Sequence, residues 1–247
     1  LMTSAINHTE TINVNTHKNY QIDLLHAATE IGMRVCSEAI WHQNQCAWIS
    51  MQHDYRAGEK PELMSATTGP GLYNGSAGIA YFLKYLYQYT DLSIFKKHML
   101  GAMNHAIHHS KQLPDMMRHS YWSGHLGIAL TALEIGQLLD DMALEEYAVN
   151  TLHNIFKRND LEKAGLDILD GCAGAIIATL RYREIIPESI YSLLNQYLRA
   201  LAERLMESSQ ESHLGRSWAS AHDHVPLLGY AHGQAGYAHA LTEVGYH

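Results

Sequence analysis

Apolar positions along the chain fall into two helical patterns that alternate. The first is amphipathic. Over 93–109, Phe95, Met99, Ala102, Met103 and Ala106 share one face, and over 142–157, Leu144, Tyr147, Ala148, Leu152 and Ile155 do the same. Over 188–206 the face is Ile190, Leu193, Leu194, Tyr197, Leu198 and Leu201, with Pro187 suited to a helix start. A further helix is predicted over 20–41. The second pattern is apolar nearly all round. After Gly75, Ile79, Phe82, Leu83 and Leu86 keep the i, i+3, i+4, i+7 spacing. After Gly124, Leu126, Ala129, Leu130 and Leu133 form one face, while Ile128, Ala132, Ile135 and Leu139 form another. Helices of this kind are buried on several sides. No period-2 alternation predicts a strand.

The buried pattern begins each time at a repeated turn. Four segments align: Gly71–Leu83, Tyr121–Leu133, Asp167–Leu180 and Gly229–Leu241. Each holds two glycines three apart, Gly75/Gly78, Gly124/Gly127, Gly171/Gly174 and Gly233/Gly236, and the first glycines are spaced by 49, 47 and 62 residues. Self-similarity at such periods marks a repeat architecture. The first glycine permits a tight turn into the helix, including positive φ. The second falls in the first helical turn, where a missing side chain lets another backbone come close. The order is therefore buried helix, loop, amphipathic helix, repeated. Two architectures fit it, an open solenoid of hairpins and a closed ring with the buried helices inside. In a ring the four glycine turns share one rim, and loops on that rim carry the chemistry.

Composition narrows the function classes. The net charge is −8 with no basic stripe, which makes nucleic acid a poor partner. No apolar run reaches the length of a membrane span. Cys36, Cys46 and Cys172 are far apart and odd in number, which argues against a disulfide framework and for the cytoplasm. The 18 histidines do not by themselves indicate a metal.

At the glycine turns the sequence resembles the lanthionine synthetase C family, in particular the cyclase domain of two-function lanthipeptide synthetases. Leu72-Tyr-Asn-Gly-Ser-Ala-Gly-Ile-Ala80 is similar to that family's first motif. Asp167-Ile-Leu-Asp-Gly-Cys-Ala-Gly174 and Gly229-Tyr-Ala-His-Gly-Gln-Ala-Gly236 are similar to two later ones, and Cys46-Ala-Trp-Ile-Ser50 to its lead-in. The resemblance covers about residues 20–245. It implies an all-α fold, an α/α toroid of inner and outer helices, acting on a precursor peptide. It also implies a zinc that holds a peptide cysteine as thiolate, the nucleophile that adds to dehydroalanine or dehydrobutyrine to close a thioether ring. It places a general acid or base on His232 and an orienting carboxylate on Asp167.

The family's zinc ligands lie in a Trp-Cys-x-Gly and a Cys-His-Gly motif, and neither occurs in this sequence. No metal ligand is therefore assigned, and zinc is an expectation for the intact family domain only. The reading divides the chain into an N-terminal extension over 1–19 and a toroid domain over 20–247. That domain is expected to stop before the zinc-ligand motifs after four hairpins, to be inactive or incomplete by itself, and to self-associate through its open flanks.

Other residues invite two readings each. Asp167 and Asp170 are both placed as helix caps would be. Tyr73, His125 and His222 are candidates for a substrate groove on the rim, with packing as the alternative. His105, His108 and His109 have metal-ligand spacing, but on an outer helix they read as a solvated face, and His222-Asp223-His224 offers a local metal site. Two further functions compete with the cyclase. One is a zinc-free toroid that binds a peptide or protein without catalysis. The other is a carbohydrate-active toroid, for which the rim offers few carboxylates beyond Asp167 and Asp170.

Overall fold

A computed structural model describes residues 14–54, 62–157, 160–213, 215–219 and 225–246. His222, Asp223 and His224 lie outside the described residues. The described chain is a run of helical hairpins. α1 spans Val14–Ser37. The pairs that follow are α2 (Ser76–Thr90) with α3 (Ser93–Ser110), α4 (His125–Leu139) with α5 (Met142–Lys157), and α6 (Cys172–Arg181) with α7 (Tyr191–Glu207). α8 (Gln234–Tyr246) follows. α2 packs beside α4 and α6 beside α8, forming an inner layer, while α3, α5 and α7 back it from outside. α4 is well enclosed: ten of its fifteen residues are buried, whereas α2 buries six of the same number. This matches the all-round apolar pattern after Gly124.

Several expectations are corrected. The first helix ends at Ser37, because the chain turns at once into β1 (Ile40–His42), which pairs with β2 (Gln45–Ala47). β3 (Ile49–Asp54) pairs with β4 (Glu62–Thr67), and β5 (Gln210–Ser212) with β6 (Gly215–Ser217), all antiparallel. β1, β2, β5 and β6 are three residues each, too short to show a period of two. β2 lies on α3 at Gly101, where an added Cβ would press on the Trp41 ring and the Cys46 sulfur. Pro187 precedes a 3-10 turn, Glu188–Ile190, and the α-helix starts at Tyr191.

The glycine turns bear out the close backbone approach expected at the second glycine, while the positive φ allowed for the first is not used. Gly75, Gly124 and Gly171 have φ of −136°, −125° and −138°, which any residue adopts. What excludes a side chain is the loop doubling back on itself. A Cβ on Gly78 would overlap the carbonyl of Leu72, on Gly127 that of Tyr121, on Gly174 that of Ile168 and on Gly236 that of Tyr230. The offset is six residues in all four.

The doubled loop supplies the helix caps. In α2 the amides of Ser76, Ala77 and Gly78 donate to the carbonyls of Gly69, Pro70 and Gly71, at 2.8, 3.3 and 3.3 Å. In α6 the amides of Cys172, Ala173 and Gly174 donate to Gly165, Leu166 and Asp167, at 2.9, 3.1 and 3.2 Å, and in α8 Gln234 donates to Leu227 at 2.8 Å. These are N–H groups that a helix start leaves without partners. Backbone satisfies them, and no side chain caps α2, α4 or α6.

The inner helices also carry charge. Lys84, 1% exposed, pairs with Glu134 on α4 and lies 3.7 Å over the Tyr85 ring. Glu134 in turn accepts from the Tyr182 hydroxyl at 3.3 Å, which is 3.2 Å from that of Tyr121. A buried cation is tolerable only with such a set of partners.

Candidate functional site

The four turns form one continuous rim. The amides of Leu72 and Tyr73 in the first turn donate to the Trp122 carbonyl in the second, at 2.7 and 2.8 Å. The Ser120 hydroxyl of the second donates to the Leu169 carbonyl of the third at 2.9 Å. The Ile168 amide of the third donates to the Ala231 carbonyl of the fourth at 3.0 Å. All four inner helices therefore start at the same end of the fold.

On this rim the structure brings His232 and Asp167 together across 65 residues of sequence. His232 Nδ1 lies 2.6 Å from Asp167 Oδ2. Their side chains are 45% and 17% exposed. The other oxygen of Asp167 accepts the Asp170 amide at 2.8 Å. With Nδ1–H donating to the carboxylate, Nε2 is the nitrogen left to exchange protons, and among the described residues it has no protein partner. A histidine oriented by a carboxylate is the arrangement used for general acid–base work.

The remaining candidates are scattered. Tyr73 is 70% exposed and borders a groove of about 330 Å³ formed with Val35, Leu72, Ile79 and Phe82, at the first turn. His125 is half-buried and faces Arg118 and the Ser110 backbone, with no hydrogen bond to Nδ1. Burial, then the Arg118 charge, lowers its basicity. Asp170 does not cap α6; its carboxylate accepts from the Ser123 hydroxyl. The histidines of α3 are corrected too: His105 is only 7% exposed and its Nδ1 is 2.8 Å from the Ser76 hydroxyl, while His108 is exposed. Burial, with His109 and His108 adding to it, lowers the pKa of His105 to about 4.

Three supporting residues escaped the sequence reading. Ser120 and Ser123 join the second turn to the third. Gln234, at the start of α8, bonds both the amide and the carbonyl of Trp218, at 3.0 and 2.8 Å. Trp218 stacks on Tyr237 with its centroid 5.1 Å away and donates its indole N–H to Leu205 at 2.7 Å. Position within the repeat is the only signal that would have found them.

The described residues do not fit a zinc site. Among the described residues no three His, Cys, Asp or Glu side chains converge to hold a metal ion. Burial pushes the thiols of Cys36, Cys46 and Cys172 up to about 11, about 12 and about 12, away from the thiolate that zinc binds.

No helix among the described residues is long and apolar enough to cross a membrane. No curated protein matches the chain. The family model described as "Lanthionine synthetase C-like protein" matches residues 66–247, a span that contains all four glycine turns, His232 and Asp167. That family is built as an α/α toroid and acts on peptides, generally with zinc. On this match and the hairpin architecture, the chain belongs to the lanthionine synthetase C-like family.

Proposed function

We propose that residues 20–247 are part of a lanthionine-forming cyclase domain in which His232 transfers protons and Asp167 orients it. The observation that carries this is the 2.6 Å contact between His232 Nδ1 and Asp167 Oδ2 on the rim. The reaction joins a cysteine thiol of the precursor peptide to the β-carbon of a dehydroalanine or dehydrobutyrine. The S–C bond forms as the C=C π bond breaks, and its electron pair moves to the neighbouring carbonyl as an enolate. The proton lost by sulfur returns at the α-carbon.

His232 serves both halves. Neutral, Nε2 accepts the thiol proton; protonated, it delivers that proton to the enolate. Asp167 fixes the orientation of the ring, the usual task of a carboxylate behind a histidine. No step of this sequence is assigned to a metal. The groove beside Tyr73 is a surface for the peptide on the same rim.

The test uses the protein expressed from its full reading frame, with zinc and a dehydrated precursor peptide, and counts free thiols over time. His232→Ala is expected to slow thiol loss by about 10² to 10⁴. Unchanged thiol loss in that variant would remove His232 from the mechanism.

A further inference from the structure

We infer that Ser123 and Asp170 are positioning residues for the His232–Asp167 pair, which they reach through a hydrogen-bond chain running across three of the four rim turns. The inference rests on the proposed role of His232. Starting at the far end, Ser120 Oγ donates to the Leu169 carbonyl at 2.9 Å, lies 2.8 Å from Ser123 Oγ and accepts the Ser123 amide at 3.0 Å. Ser123 Oγ donates to Asp170 Oδ1. The Asp170 amide donates to Asp167 Oδ1 at 2.8 Å, and Asp167 Oδ2 meets His232. The two serines thus grip residues 169 and 170, immediately beyond the carboxylate that orients the histidine.

The grip matters because Asp167 has a rotational freedom of its own. A carboxylate holds an imidazole in one tautomer only if the oxygen facing the ring stays in place. Here the second oxygen is pinned by the Asp170 amide, so rotation about the Asp167 side chain breaks two bonds at once. The position of that amide depends on the short turn 167–170. One side of this turn is tied to the fourth motif through the Ile168 amide and the Ala231 carbonyl, at 3.0 Å. The other side is tied to the second motif through the serines alone among the described side-chain contacts. Ser123 and Asp170 touch neither His232 nor the place where its Nε2 acts, so their effect passes through Asp167.

A merely structural tie between the second and third motifs would change stability and nothing else. The discriminating measurement is the tautomer of His232, read from the ring ¹⁵N shifts of labelled protein without substrate. Wild type is expected to hold the Nδ1–H form. Ser123→Ala is expected to lower the Nδ1–H to Nε2–H ratio at least about threefold, because a charge-assisted hydrogen bond is loosened. Ser123→Thr, which keeps the hydroxyl, is expected to restore it. Asp170→Asn keeps the backbone amide and an acceptor oxygen, and provides a folded variant in which a weaker grip gives an intermediate ratio. A wild-type ratio in both Ser123→Ala and Asp170→Asn would overturn the inference. A shifted tautomer with unchanged thiol consumption in the intact protein would instead support the chain and sink the cyclase role of His232.

Discussion

The described residues hold two histidine–aspartate pairs made of the same two side-chain types but through different ring nitrogens. His119 and Asp160 join the second turn to the segment before the third, with His119 Nε2 3.4 Å from Asp160 Oδ1. The other ring nitrogen lies 2.9 Å from the Tyr197 hydroxyl, and the ring stacks on Tyr197. The His119 side chain is 2% exposed. In the rim pair, His232 is held at one nitrogen only and is 45% exposed. Residue type is therefore no guide to role. A histidine with both nitrogens engaged by buried partners serves the fold, since it has no nitrogen left for a substrate. One that is fixed at a single nitrogen and open at the other is equipped to exchange protons.

Substitutions sharpen that contrast. The largest effect is catalytic. Thiol consumption falls by about 10² to 10⁴ in His232→Ala, while His119→Asn, assayed at a temperature where it is folded, stays within about threefold of wild type, the range of a substitution away from the reacting atoms. A comparable loss in His119→Asn would erase the distinction. Stability reverses the order. His119→Ala strands the Tyr197 hydroxyl and opens a cavity, for a loss of about 3 kcal/mol in urea unfolding. His232→Ala, on an exposed rim, costs about 0.5 kcal/mol.

The smallest effect concerns acid. His105 is another buried histidine, with a folded pKa of about 4 against 6.5 for the free side chain. Below 6.5 the unfolded chain takes up a proton that the folded chain refuses until about 4. Stability therefore falls as the pH drops through that window. His105→Gln, which can still bond to Ser76, is expected to flatten this part of a Tm-against-pH curve. An unchanged curve would show that His105 is protonated without penalty.

Much of this architecture was legible in the sequence, for one reason. The glycine pairs mark places where backbone touches backbone, so each copy of the repeat retains them regardless of the rest of its helix. The boundaries of α3 and α5 followed from amphipathic spacing. His232 and Asp167 came from resemblance, because no spacing rule links residues 65 apart. Other features left no local trace. β1, β2, β5 and β6 are three residues each, too short for alternation to register. The burial of His105 depends on Ser76, 29 residues earlier, and the grip of Ser123 on Asp170 spans 47. The second glycine of each pair was legible as a place of close backbone approach, and the carbonyl six residues back is that backbone; the positive φ allowed for the first glycine is not used at Gly75, Gly124 or Gly171.

Because all four inner helices begin on one rim, their peptide dipoles point the same way. Each places a partial positive charge at its start, in the ideal limit about half an elementary charge. The loop carbonyls that bond the first amides offset part of this, but the alignment of the helices remains. The result is a field with no side chain as its source, invisible to any count of Lys and Arg. In a chain of net charge −8, the mouth that holds His232 and Asp167 is biased to welcome negative charge. An enolate forming there would gain from a field already aimed at it before the substrate arrives.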